Sequence, residues 1–319
     1  MLRTIAMVMS GDITITIPPI SRLDNRQVST VKALYAFALL LGVSLSLPFP
    51  LPALADSPVQ EPGQAVIPTK VIPLIPDNDL SQWYTWLTDS GYEDPRHVFT
   101  VQPDGILRIS GDGFGALTTK KEYANYLLIM EYRWGEKTWA PREQAAKDAG
   151  VLVHAQGIDG GYGWKDGQPG AWMPSFEFQI IEGGVGDLLV LSGRGKNGTQ
   201  LNPSATVSVV RDRDGEPVWS SEGKPEVFRK GRVNWLGRDP DWQDRLGFRG
   251  KNDVESPGQA WTRIECICRD DELTYRVNGK LVNHITDVQP RQGKILVQTE
   301  GAEWFIRKLE LHPLPEVQP

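Results

Sequence analysis

Phe176-Glu177-Phe178-Gln179-Ile180-Ile181-Glu182-Gly183-Gly184-Val185-Gly186-Asp187 decides how this chain is read. Phe176, Phe178 and Ile180 recur at every second position. That is the spacing of a strand with one face on a core, so Glu177 and Gln179 project from the other face. A carboxylate beside an amide on so apolar a strand is costly unless that face lines a polar groove. Glu182 and Asp187 flank the adjoining Gly-rich turn, which would bring three carboxylates to one mouth. Such a set suits acid/base chemistry or a hard cation, and points to an enzyme acting on a polar ligand.

The same period extends in both directions. Leu107-Arg108-Ile109 comes after the turn Pro103-Asp104-Gly105, and Tyr126 to Trp134 reads as a long strand. Gly150 to His154, Ala205 to Val210, Trp261 to Cys268, Leu273 to Asn278, Lys294 to Thr299 and Phe305 to Leu311 continue the series. Asn278-Gly279 between two such runs is a strong hairpin signal. No segment sustains a 3.6-residue period, and only Pro141 to Lys147 favours a helix. Gly193 to Gly258 is a long polar interruption. Residues 74–314 therefore read as one all-β domain, a large jelly-roll β-sandwich with a concave groove as its ligand face.

Composition narrows the function classes. A net charge of −6 with no basic run argues against nucleic acid, whose phosphates require clustered Lys and Arg. Eleven Trp are consistent with sugar binding, because flat rings pack on the C–H faces of pyranoses, although each also serves as core filler. Residues 1–55 read as an N-terminal extension and export signal. Arg22, Arg26 and Lys32 precede the apolar run Ala33 to Leu47, and Ala53-Leu54-Ala55 offers a small-residue cleavage site. The run is too short and Pro-bounded for a stable membrane span, so the mature protein is expected to be periplasmic or secreted. Residues 56–73 read as a Pro-rich linker. Cys266 and Cys268, the only cysteines, stand at i and i+2 on a strand, about 7 Å apart, and read as buried small hydrophobes.

Taken in order, several motifs resemble a known family. Leu117-Thr118-Thr119-Lys120-Lys121-Glu122-Tyr123 leads into Glu131-Tyr132-Arg133-Trp134-Gly135, then Asp148-Ala149-Gly150-Val151-Leu152-Val153-His154 and the stretch from Phe176 to Asp187. Pro257-Gly258-Gln259-Ala260-Trp261, Val277-Asn278-Gly279 and Gly293 to Glu303 close the series. Together they resemble the 3-keto-disaccharide hydrolase family, also described as a 3-keto-glucoside 1,2-lyase / 3-keto-2-hydroxyglucal hydratase domain. The resemblance implies a concanavalin/laminarinase-like jelly roll. It also implies action on glycosides already oxidised at C3 by a separate sugar 3-dehydrogenase, with no nucleotide cofactor of its own. The family commonly has Ser where Ala149 stands and Asn where Thr262 stands.

A C3 ketone acidifies the proton on C2. The enzyme then needs a base, a stabiliser of negative charge on O2 and O3, and a proton for the leaving oxygen. A divalent cation across the O2/O3 edge would serve the second need. Glu177 is expected as base or metal ligand, and His154, at a strand end, as ligand or acid. Glu182 and Asp187 are weaker candidates for the remaining roles, Glu182 in catalysis and Asp187 as a metal ligand. Glu131 and Arg133 share a strand face. Arg133 would hold a substrate oxygen or pair with Glu177, and Glu131, Gln179 and Trp261 would complete the substrate contacts. Trp261 is equally readable as core. Glu300 and Glu303 bracket a turn and read as surface charge.

Two other readings stay open. Glu177-x-Gln179-x-x-Glu182 is one amide away from the E-x-D-x-x-E strand motif of laminarinase-like retaining glycosidases, where a bulge brings the second Glu onto the first one's face. A non-catalytic sugar-binding module would need aromatic platforms but no clustered carboxylates.

Overall fold

The computed structural model describes residues 5–9, 13–17 and 64–314, which fall into two separate units. In the first, β1 (Ile5–Met9) pairs antiparallel with β2 (Ile13–Ile17). The expected apolar run Ala33 to Leu47 and its cleavage site lie outside the described residues.

The second unit is a sandwich of two antiparallel sheets, with no α-helix among the described residues. One sheet has seven strands, in the order β17 (Gly231–Val233), β11 (Leu188–Leu191), β10 (Ser175–Ile181), β9 (Asp148–Ala155), β21 (Lys294–Glu300), β7 (Phe114–Thr119) and β4 (Trp83–Leu87). The other runs β15 (Pro217–Trp219), β14 (Ser204–Arg211), β20 (Lys280–Gln289), β19 (Glu272–Val277), β18 (Thr262–Arg269), β8 (Tyr126–Thr138), β22 (Ala302–His312), β6 (Leu107–Ile109) and β5 (Phe99–Val101). In that second sheet, β16 (Lys224–Phe228) adds to β14 and β3 (Ile72–Pro73) to β22, while β12 (Gly193–Arg194) and β13 (Gln200–Leu201) form a separate small hairpin.

Alternation explains the two layers. On β10, Phe176, Phe178 and Ile180 enter the core, joined by Val151 of β9 and Val297 of β21. From the opposite sheet come Leu128, Met130 and Tyr132 of β8, Ile264 and Cys266 of β18, and Tyr275 of β19. Phe178 and Tyr275 stack across the layers with ring centroids 4.3 Å apart. The core also holds both cysteines as free, buried thiols, as the sequence suggests.

The two sheets differ on their far sides. On β18, buried and half-buried residues alternate strictly, the mark of a sheet with one face toward solvent. On β9 and β10 every residue is buried, because chain also covers the far face of the seven-stranded sheet.

Three expectations change. Val66 bridges to Tyr123 and Ile72–Pro73 pairs with β22, so the fold already includes residues assigned to the linker. Pro141 to Lys147 forms turns rather than a helix. The polar stretch from Gly193 contributes five short strands besides the one expected over Ala205 to Val210.

Candidate active site on the seven-stranded sheet

The far face of β10, β9 and β21 collects the polar residues. With Phe176 and Phe178 in the core, Glu177 and Gln179 take the other side of β10. Ala149 and Val151 point inward on β9, which turns Asp148, Gly150 and Leu152 outward. Ile295 and Val297 do the same on β21, which turns Leu296, Gln298 and Glu300 outward. Register then sets Gln179 opposite Gly150, Glu177 opposite Leu152, and Leu296 opposite Leu152 from the other side.

Gly150 is the hub of this arrangement. A Cβ there would lie 2.5 Å from Oε1 of Glu177 and 2.6 Å from Oε1 of Gln298, so only glycine lets the carboxylate and the amide converge. Gln298 is fully buried, its amide has no other partner, and it is turned toward Glu177. Nε2 of Gln179 donates to Oδ1 of Asp148, whose Oδ2 lies 3.3 Å from Arg142.

The electrostatics result from crowding three carboxylates out of water. Burial and the neighbouring Asp148 charge push the Glu177 carboxyl up to about 8, against the opposing pull of Arg232 and the Gln298 amide. Burial also raises Asp148, while Arg142 and Arg232 work against it. Glu300 is raised by burial and then by the charges of Asp148 and Glu177. Such a cluster retains protons near neutrality and releases them as pH rises, so its carboxyls can exchange protons as acid or base in that range.

Several expected site residues lie elsewhere. Parity places His154 beside Gly150 and Leu152, but β9 bulges there. Lys294 pairs with Ala155 and Leu296 with Leu152, so two residues of β9 oppose one of β21, and His154 takes a φ of 54°. Its ring turns into the core against Tyr126 and Phe176, with Nδ1 3.0 Å from the Pro290 carbonyl. Glu182 serves the turn: Oε2 accepts from the backbone N–H of Lys147 at 3.0 Å and of Gly247 at 2.8 Å. Asp187 accepts from the Trp235 N–H at 2.8 Å and from Arg232 at 3.2 Å, and it also pairs with Arg238.

Glu131 and Arg133 do share a strand face, but it is the outer face of the eleven-stranded sheet. Glu131 pairs with Arg307 at 2.6 Å and Arg263 at 3.4 Å, and Arg133 stacks on Trp261 at 4.9 Å. Alternation identifies which residues share a face; it does not say which sheet that face belongs to. Glu177, His154 and Asp187 thus occupy a floor, a core and a turn, and this trio does not fit a shared cation. Among the described residues no group of three or more His, Cys, Asp or Glu is set to hold a metal ion.

The site also gains residues. Asp148 and Glu300 were legible by parity with Gly150 and with Gln298, although Glu300 reads as surface charge next to its turn. Arg142 arrives on the Thr138–Lys147 connection and Arg232 on the three-residue β17; neither had a periodic signal.

The raised carboxyls make stability depend on pH. Glu255, buried and bonded to Tyr132 at 2.7 Å, Trp134 at 2.7 Å and Arg249 at 2.8 Å, is also pushed up by burial, to about 7. In the unfolded chain both Glu177 and Glu255 return to 4.5, so between that value and about 8 the folded state binds more protons. Stability should therefore fall as pH rises through this window, by at most about 1.4 kcal/mol per pH unit for each proton. A melting temperature that climbs from about pH 8.5 down to about pH 5.5 is the expected result, and a flat or opposite trend refutes it.

Two antiparallel sheets packed face to face, one of them burying a cluster of carboxyls on its far side, define a jelly-roll sandwich with a candidate site on the seven-stranded sheet. Residues 70–312 match the model of the 3-keto-alpha-glucoside-1,2-lyase-like domain, and the chain belongs to that family. Among solved structures, it is similar to a proposed glycosyl hydrolase from Parabacteroides distasonis at 16% identity and a TM-score of 0.42, over 77% of this chain and 100% of that one. It is also similar to the carbohydrate binding module CBM66 from Bacillus subtilis at 8% identity and a TM-score of 0.36, over 72% of this chain and 94% of that one. A Bacillus licheniformis beta-glucanase aligns at 10% identity and a TM-score of 0.37, over 80% of this chain and 100% of that one. Comparison with curated proteins gives no match.

Proposed function

We propose that this protein cleaves 3-keto-glycosides by removing the C2 proton and eliminating the C1 substituent, with water then adding to give net hydrolysis. The observation that carries this reading is the cluster of Asp148, Glu177 and Glu300 on one sheet face, each with its carboxyl raised by burial. An elimination next to a ketone needs a base and an acid but no nucleophile. In this reading an ionised carboxylate of the cluster, Glu177 in the first place, takes the C2 proton. The electron pair moves onto the C3 oxygen, where the guanidinium of Arg142 or Arg232 offsets the new charge. A proton must also reach the leaving oxygen as the C1–O bond breaks. Because the expected metal trio is dispersed, no step is routed through a cation.

The retaining-glycosidase reading is weakened by two residues. Gln179 stands where the motif has Asp, and both Glu182 oxygens are held at the loop. The N-terminal basic and apolar pattern supports export, which would set the reaction outside the cytoplasm beside a sugar 3-dehydrogenase. The test is to incubate the purified protein with a 3-keto-glucoside and with its unoxidised parent, with and without a chelator. Cleavage of the keto compound alone, unaffected by the chelator, is expected. Cleavage of the parent would establish ordinary glycoside hydrolysis, and binding without turnover a sugar-binding module.

A further inference from the structure

The connection between β9 and β10 does more than close the sheet. Asp159 ties it down, accepting from the Tyr84 hydroxyl at 2.9 Å and the Tyr92 hydroxyl at 3.0 Å. Lys294 donates to the same Tyr84 oxygen at 3.0 Å. Within the connection, Tyr162 N–H bonds the Trp172 carbonyl at 2.8 Å and Gly170 N–H the Gly160 carbonyl at 2.7 Å, so it folds back on itself as a narrow ladder. A side chain on Gly170 would overlap the Tyr162 carbonyl, so the ladder depends on that glycine.

This ladder sets one tyrosine ring over the sheet face that carries the carboxylates. The Tyr162 ring stacks with Trp172 at 6.2 Å and 26°, and the pair packs on the apolar cluster that contains Leu152 and Leu296. Leu152 is the cross-strand partner of Glu177, so the ring lies over the same part of the sheet as the candidate base. Burial raises the phenol above its usual range, and the charges of Glu177 and Glu300 raise it further, while Arg232 opposes them. Tyr162 is half-buried.

We propose that Tyr162 is a catalytic residue, the proton donor to the departing glycosidic oxygen of a 3-keto-glycoside. The proposal rests on the keto-glycoside reading above and deepens it. Once the C2 proton has gone to the base, the electron pair held as the C3 enolate returns, C3=O re-forms and C1=C2 forms. The C1–O bond breaks with its pair on the leaving oxygen, which takes the Tyr162 proton, and the phenolate is then reprotonated from water. A phenol suits this step because an alkoxide leaving group is the stronger base.

The experiment compares wild type and Tyr162→Phe on two 3-keto-glucosides, one with a sugar leaving group and one with 4-nitrophenolate. Phe keeps the ring on Trp172, so the melting curve should not move. The expected result is a loss of kcat/KM of roughly 100-fold or more for the sugar leaving group. The nitrophenyl compound needs no protonation and should lose far less. Equal losses on both compounds, or none on either, overturn the assignment. Exchange of the C2 proton with heavy water, monitored by NMR, keeps the two proposals apart. Wild type that neither exchanges nor cleaves refutes the keto-glycoside reading, and Tyr162 falls with it. Wild type that exchanges and cleaves, beside a variant that loses exchange as fully as cleavage, refutes Tyr162 alone.

Discussion

Replacing Glu177 with Gln is expected to abolish turnover of a 3-keto-glucoside, by roughly 10²- to 10⁴-fold, while leaving the protein folded. The amide has the volume of the carboxyl and keeps its place beside Gly150 and Gln298, but it cannot take a proton. Its effect on folding should be neutral or favourable. The native carboxyl is only 2% exposed and sits beside Asp148, so its charged form is disfavoured there. Above about pH 8, where wild type must hold that charge, the variant should melt at the same temperature or higher. It should also show a shallower dependence of melting temperature on pH, since one of the groups that bind protons more tightly in the folded state is gone. Steady-state kinetics and thermal melts across the pH range check both halves. Turnover within about tenfold of wild type would remove Glu177 from the proton transfers.

Asp187→Ala should produce the largest loss of stability, about 3–5 kcal/mol, because it breaks a buried ion pair from one side. Asp187 is fully buried, and Arg238 is only 6% exposed, stacked over Trp242 at 4.5 Å. Without the carboxylate the Arg238 guanidinium stays in the interior without its paired counter-charge, and the Trp235 N–H loses its acceptor. Urea unfolding measures the change. Adding Arg238→Met to Asp187→Ala should recover part of it, since the orphaned charge is then removed too. A loss under about 1 kcal/mol would mean that the pair is not buried in solution. Arg232 joins this cluster to the candidate site, pairing with Asp187 while opposing the negative charge on Glu177 and Asp148. The single variant should therefore move the pH profile of any activity that survives.

Much of the fold was legible, for a local reason. Alternation of Phe176, Phe178 and Ile180, or of Leu128, Met130 and Tyr132, reports directly which side chains meet a core, because the strand period is fixed by backbone geometry. The Asn278-Gly279 turn was legible because few residues tolerate its dihedrals, and Asn278 has a φ of 48°. The site was legible only along β10, where Glu177 and Gln179 interrupt the apolar pattern. His154 shows how parity fails. One inserted residue in β9 reverses the face of the residues beyond it, and a bulge between two ordinary-looking strands leaves no mark in composition.

The sequence by itself determined the all-β class, the two faces of β10 and the family to which residues 70–312 belong. Only the tertiary structure decided which carboxylates share a face. Glu177 meets Asp148 and Glu300 because β10, β9 and β21 are neighbours, an order set by long-range pairing. Glu182 and Asp187, a few residues from Glu177 in the chain, are instead consumed by backbone N–H groups and by arginines. Nearness along a chain fixes spacing, whereas chemistry requires convergence. Here convergence came from β9 and β10, successive along the chain, and from β21, which starts only at Lys294, packed around a glycine that leaves room for them.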